Sequence, residues 1–132
     1  NLTSLVSRVG KVRGVLGLHG QGYRVANFRH RKRLHDCEIF YWGDIDVQGF
    51  EILSLFRREF PQVKSLLMDL ATIEATSEEF YGESPKSRWR DEPELTEEER
   101  QAYLWAKNGL RRIEQEQLDE ALVEKALRNL AG

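Results

Sequence analysis

The apolar positions of this chain fall into short runs divided by glycine, proline and charge, and the spacing inside each run predicts alternating strands and helices. Residues 2–9 suit one or two helical turns ending at Gly10. Residues 12–18 (VRGVLGL) are a short apolar run suited to a buried strand, followed by the turn His19-Gly20-Gln21-Gly22. Over 23–34 apolar residues thin out and cations crowd in, which predicts a surface helix. Residues 37–42 (CEIFYW), β-branched and aromatic-rich, predict the clearest strand. A turn over 43–49 leads to a helix over 50–60, where Ile52, Leu53, Leu55 and Phe56 line one face and Pro61 stops the run. Residues 63–68 predict a third strand, and the helix between these two strands calls for a parallel crossover.

Residues 75–95 are rich in charge and interrupted by Gly82, Pro85 and Pro93, which predicts a long loop or lid within a single domain spanning 1–132. Thr96 and Glu99 form a capping box, so a helix runs from there to about Lys107, and Asn108-Gly109 closes it. A short extended piece over 110–114 and a helix over 119–130 follow, the latter with Leu122, Val123, Ala126 and Leu127 on its apolar face. The order is that of an α/β protein: a mainly parallel sheet flanked by helices.

Composition narrows the class. At 40% hydrophobic and 32% charged, the chain has the make-up of a folded globular domain. No apolar run approaches the ~20 residues a membrane helix needs, so no membrane partner is expected. The lone Cys37 excludes an internal disulfide and a cysteine-based zinc cluster, which points to a reducing cytoplasm. The net charge of −2 hides an asymmetry. Eight cations against Asp36 alone give residues 1–36 a net +7, while residues 91–132 carry −5. A basic segment containing Arg24, Arg29, Arg31, Lys32 and Arg33 could face phosphates, or it could be a solvated helix face.

The segment Gly43-Asp44-Ile45-Asp46-Val47-Gln48-Gly49 carries the most chemical information. An apolar strand running into Asp-x-Asp delivers two carboxylates at the carboxyl edge of a parallel sheet, where α/β folds place their sites. Two apart in extended backbone, Asp44 and Asp46 project to one side and can share a cation. Oxygen ligands suit magnesium, which keeps several waters and needs few carboxylates. The plainer reading is that these aspartates cap the helix that follows. Gly20 and Gly22 could aim backbone N–H groups at a phosphate, although neither a Walker loop nor Gly-x-Gly-x-x-Gly is present. In Arg112-Ile113-Glu114-Gln115-Glu116, Glu114 could serve a metal site and Arg112 a phosphate, with ordinary surface charge as the alternative. His19, His30 and His35 lack ligand spacing, so zinc is not expected.

Three motifs now bear comparison: Tyr41-Trp42-Gly43-Asp44-Ile45-Asp46-Val47-Gln48-Gly49-Phe50, Val63-Lys64-Ser65-Leu66-Leu67-Met68-Asp69, and Leu110-Arg111-Arg112-Ile113-Glu114-Gln115-Glu116. Their content and order resemble the C-terminal domain of the Wadjet anti-plasmid nuclease subunit JetD over nearly the whole chain. More distantly, Gly20-Gln21-Gly22-Tyr23 and Gly43-Asp44-Ile45-Asp46 look like the TOPRIM motifs of the topoisomerase VI A subunit and its meiotic relatives. The resemblance implies a TOPRIM fold, DNA cleavage dependent on Mg2+ or Mn2+, and partnership with a condensin-like SMC complex that recognises plasmid DNA. It carries the catalytic and metal-binding pair onto Asp44 and Asp46, and the glycine turn onto Gly20 and Gly22. It further implies a glutamate ending a first strand, commonly just before an Asn. Asn1-Leu2-Thr3 matches the residues after that acid, so the chain is expected to be part of a longer nuclease, short of its first strand and inactive by itself. Tyr23 and Tyr41 do not match the winged-helix tyrosine of the topoisomerase relatives.

In the favoured mechanism a magnesium or manganese ion on Asp44, Asp46 and that glutamate polarises a scissile phosphate, and the cations of 24–33 hold flanking DNA. Self-association as a homodimer stays open. So do two other functions. A haloacid-dehalogenase-like phosphatase would use Asp44 as nucleophile and Asp46 as general acid, although no later aspartate pair completes its metal site. A non-catalytic docking domain for an SMC-type partner is the other.

Overall fold

The computed structural model describes residues 13–18, 38–86 and 93–131. Strand β1 (Arg13–Leu18) pairs in parallel with β2 (Glu38–Gly43), and β2 pairs in parallel with β3 (Lys64–Ser65), giving the order β1-β2-β3. Between β2 and β3 lies helix α1 (Val47–Glu59), the crossover that parallel pairing requires. A short α2 (Leu70–Glu74) follows, then a 3₁₀ turn (Glu78–Phe80), β4 (Gly82–Glu83), α3 (Glu97–Gly109), β5 (Arg111–Arg112), a second 3₁₀ turn (Gln115–Gln117) and α4 (Glu120–Ala131). β4 and β5 pair antiparallel as a separate two-stranded ribbon. The molecule is thus mixed α/β, with a three-stranded parallel sheet rather than an extended one among the described residues. No described helix is long and apolar enough to cross a membrane.

Burial follows the middle of the sheet and the crossover helix. Adjacent residues Ile39 and Phe40 are both buried, so β2 is covered on both faces, as a central parallel strand is. Val47, Phe50, Leu53 and Phe56 of α1 are buried, and α3 adds Ala102, Tyr103 and Ala106. Ring contacts link the layers: Tyr41 of β2 meets Phe56, and Phe50 meets Tyr103 edge-on.

Two boundaries differ from the sequence reading, each for a local reason. Helix α1 begins at Val47, three residues before the expected start, because Asp46 is its N-cap and accepts the Gly49 N–H at 2.6 Å. The expected 63–68 strand shrinks to Lys64–Ser65 because Leu67 turns left-handed (φ 57°), after Leu66 has donated one more bond to the Tyr41 carbonyl. The capping box at Thr96 forms as expected, with Thr96 Oγ1 accepting from Glu99 and Glu99 Oε1 accepting from Thr96.

The segment read as a loop contains the first 3₁₀ turn and β4, and is pinned to α1 on both sides of residues 87–92. The buried Ser84 hydroxyl accepts the first helical N–H, from Val47, at 3.0 Å. Beyond, the Glu94 N–H donates to Ser54 Oγ at 2.8 Å and the Glu94 carbonyl accepts from Arg57.

Candidate functional site

Strand β2 ends at Gly43, and the chain leaves it as Asp44-Ile45-Asp46 before turning into α1. Ile45 exchanges both backbone hydrogen bonds with Ile113, N to O at 2.9 and 3.0 Å, in an isolated antiparallel bridge. Both isoleucine side chains are buried, which anchors this bridge in the core. Because side chains alternate in extended backbone, Asp44 and Asp46 lie on the side opposite Ile45.

Each carboxylate is held by a backbone donor. Asp44 Oδ1 accepts from the Gln115 N–H at 2.8 Å, and Asp46 Oδ1 accepts from Gly49. The Gln115 side-chain amide donates back to the Trp42 carbonyl at 2.9 Å, so Gln115 grips the strand end twice. Gly49 is required here: a Cβ at that position would lie 2.1 Å from the Asp44 carbonyl oxygen and 3.1 Å from Asp46 Oδ1. The helix-capping reading therefore holds for Asp46. It does not exhaust the group, since a carboxylate has about four lone-pair sites.

The fold also brings Arg112 and Glu114 to this place. Arg112 Nη2 donates to Glu114 Oε1 at 2.5 Å, and its Nε lies 3.9 Å from the buried Asp46 Oδ2. The bond to Glu114, helped by the negative charges of Glu114, Asp46 and Asp44, outweighs burial and holds the guanidinium more firmly in its charged form. Its neighbour Arg111 goes elsewhere, stacking on Trp105 with 4.5 Å from guanidinium carbon to ring centroid.

Tyr41 of β2 is fully buried and feels the charge of both aspartates. Burial, and then the charges of Asp46 and Asp44, push its hydroxyl well above the usual tyrosine value. The hydroxyl packs so close to Gly43 that a Cβ there would meet it at 2.3 Å. Among the described residues three buried side-chain atoms have no hydrogen-bond partner: Tyr41 Oη, Trp42 Nε1 and Gln115 Oε1. All three belong to this one strand end and the segment gripping it.

The donor chemistry suits a hard divalent cation: carboxylate oxygens, each oriented by a backbone N–H. Yet among the described residues no three His, Cys, Asp or Glu side chains gather as a metal-holding group. Two carboxylates would thus need water, substrate oxygens or a further ligand. Of the other expected contacts, Gly20, Gly22, Arg24, Arg29, Arg31, Lys32 and Arg33 lie outside the described residues. A groove of about 720 Å³, lined by Arg57, Ser65, Thr96 and Glu99 among others, shares no residue with the Asp44–Asp46 loop. Sequence reasoning missed Gln115 and Ser84. Gln115 stood in the same charged run as Glu114, but nothing local distinguishes it, because its partners lie more than 70 residues away.

The model of one protein family, Wadjet protein JetD, C-terminal, matches residues 1–127. The chain belongs to that family. No curated protein matches it. In this JetD C-terminal domain the first and third sequence motifs meet, Asp44-Ile45-Asp46 being bridged and hydrogen-bonded to Arg112-Ile113-Glu114-Gln115.

Proposed function

We propose that this domain is the TOPRIM-like, metal-dependent DNA-cleaving part of a JetD nuclease, acting on plasmid DNA alongside a condensin-like SMC complex. The observation that supports it most is the pair of carboxylates at the carboxyl end of the central parallel strand, each fixed by a backbone N–H donor. Membership of the Wadjet family supports the plasmid-defence setting.

Asp44 and Asp46 would hold a magnesium or manganese ion, with water and phosphate oxygens completing its coordination. When bound, the ion supplies charge neutralisation at the scissile phosphate and the leaving oxygen. The protein's own part is orientation. Gln115 fixes Asp44, the first turn of α1 fixes Asp46, and Ser84 fixes that turn by capping Val47. The cations of residues 24–33 would hold flanking phosphates, which makes DNA binding fall steeply with salt.

The test uses full-length protein and supercoiled plasmid with Mg2+ or Mn2+. Asp44→Asn and Asp46→Asn, which keep the hydrogen-bond acceptors, should each lower cleavage by roughly 100-fold while leaving the melting temperature within a few degrees. Cleavage at the wild-type rate in either variant would overturn the assignment and leave a docking role.

A further inference from the structure

Arg112 sets a cation against the aspartate pair, and a divalent ion on the same pair would have to face it. Its guanidinium lies between Glu114, which it contacts through Nη2, and Asp46, 3.9 Å from Nε. Strand alternation imposes this position, since Arg111 on the other face of β5 is engaged by the Trp105 ring and carbonyl. A guanidinium keeps its charge at any accessible pH, so here it is a permanent cation facing the aspartate pair. A divalent ion on Asp46 would then stand within a few ångströms of a like charge and be repelled by it. Nor is Arg112 locked in: its side chain is 32% exposed and that of Glu114 41%, so both can move without opening a cavity in the core.

We propose that Arg112 is the resting counter-ion of the Asp44–Asp46 site, and that a divalent cation binds there only by displacing it. This rests on the metal-site reading above. Displacement is an exchange of partners. Glu114 releases Arg112 and turns its carboxylate to the cation as a further oxygen ligand. The freed guanidinium then offers its paired donors to phosphate oxygens, whose geometry it matches. Arg112 is in this sense a positioning residue, setting how readily the site loads.

The experiment titrates full-length protein with Mn2+, reading free ion by electron paramagnetic resonance, with Mg2+ as competitor. Arg112→Ala should bind Mn2+ about ten-fold more tightly than wild type, because an opposing charge is gone. A merely structural role for Arg112 could only weaken binding. Should alanine lower the melting temperature in chelator, Arg112→Gln, which keeps the length and removes only the charge, serves instead. Adding Glu114→Gln to Arg112→Ala should give back most of the gain, and an undiminished gain would overturn the exchange. If wild type binds Mn2+ through Asp46, as loss in Asp46→Asn would show, yet Arg112→Ala binds no more tightly, the counter-ion role fails and the metal site stands. No Mn2+ binding by any variant overturns both.

Discussion

Asp46 performs two duties, and single substitutions separate them. As N-cap it accepts the Gly49 N–H, and as an acid it faces Arg112. Asparagine caps a helix as well as aspartate does, so Asp46→Asn should keep the fold and lose only the charge. Asp46→Ala removes the cap too and should cost about 1 kcal/mol in denaturant unfolding. An alanine variant alone would therefore confuse lost chemistry with lost structure. Gly49→Ala probes the same turn from the backbone side. Its methyl would press on the Asp44 carbonyl oxygen, so something must shift, and destabilisation of about 1–3 kcal/mol is expected. Gly82→Ala is the control, having only the Arg112 carbonyl oxygen nearby at 3.9 Å. Equal melting temperatures for the two variants would contradict this account of Gly49.

At the scale of elements, helix α3 ties its own start to the rest of the molecule through Glu99. Burial alone would raise this carboxyl, but hydrogen bonds from Arg57, Ser65 and the Thr96 backbone outweigh it and hold it below the ordinary 4.5. The stability this contributes is present above pH 4.5 and is lost as pH falls through the lower, folded-state value. Melting temperatures measured from pH 6 down to about 3 should therefore fall less steeply in Glu99→Gln than in wild type. The start of α3 was legible because both halves of a capping box stand in four consecutive residues, Thr96 to Glu99. Strand β2 was legible from its unbroken apolar run, and the parallel crossover followed from α1. Strand β3 was legible as an element but not in its shortness, because Leu67 adopts a backbone conformation that no side-chain pattern announces. Helix α2 was overlooked although Asp69 caps it through Thr72, a signal of the kind used successfully at Thr96.

Across the whole molecule, Arg57 joins more elements than any local pattern suggests. From α1 it donates to the Val63 carbonyl before β3, to the Glu94 carbonyl and to both oxygens of Glu99 in α3. Arg57 is 15% exposed and Glu99 5%, so removing the arginine leaves a nearly buried carboxylate without its cation. Arg57→Ala should destabilise the fold by about 3 kcal/mol in urea unfolding, and a loss under 1 kcal/mol would show the clamp to be dispensable. Such long-range bonds explain what the sequence concealed about the candidate site. Asp44 and Asp46 stand in one contiguous stretch of sequence, whereas the nearness of Arg112 and Glu114, also candidates in the sequence, to that pair comes only through the Ile45–Ile113 bridge. That bridge also sets a timetable. A ribosome making this protein releases the aspartate pair long before it makes residue 115, so Asp44 lacks its Gln115 donor until 71 further residues have been added, while Asp46 has its Gly49 donor three residues on. If the domain cuts DNA as proposed, a chain still in synthesis would lack one of its two fixed carboxylates.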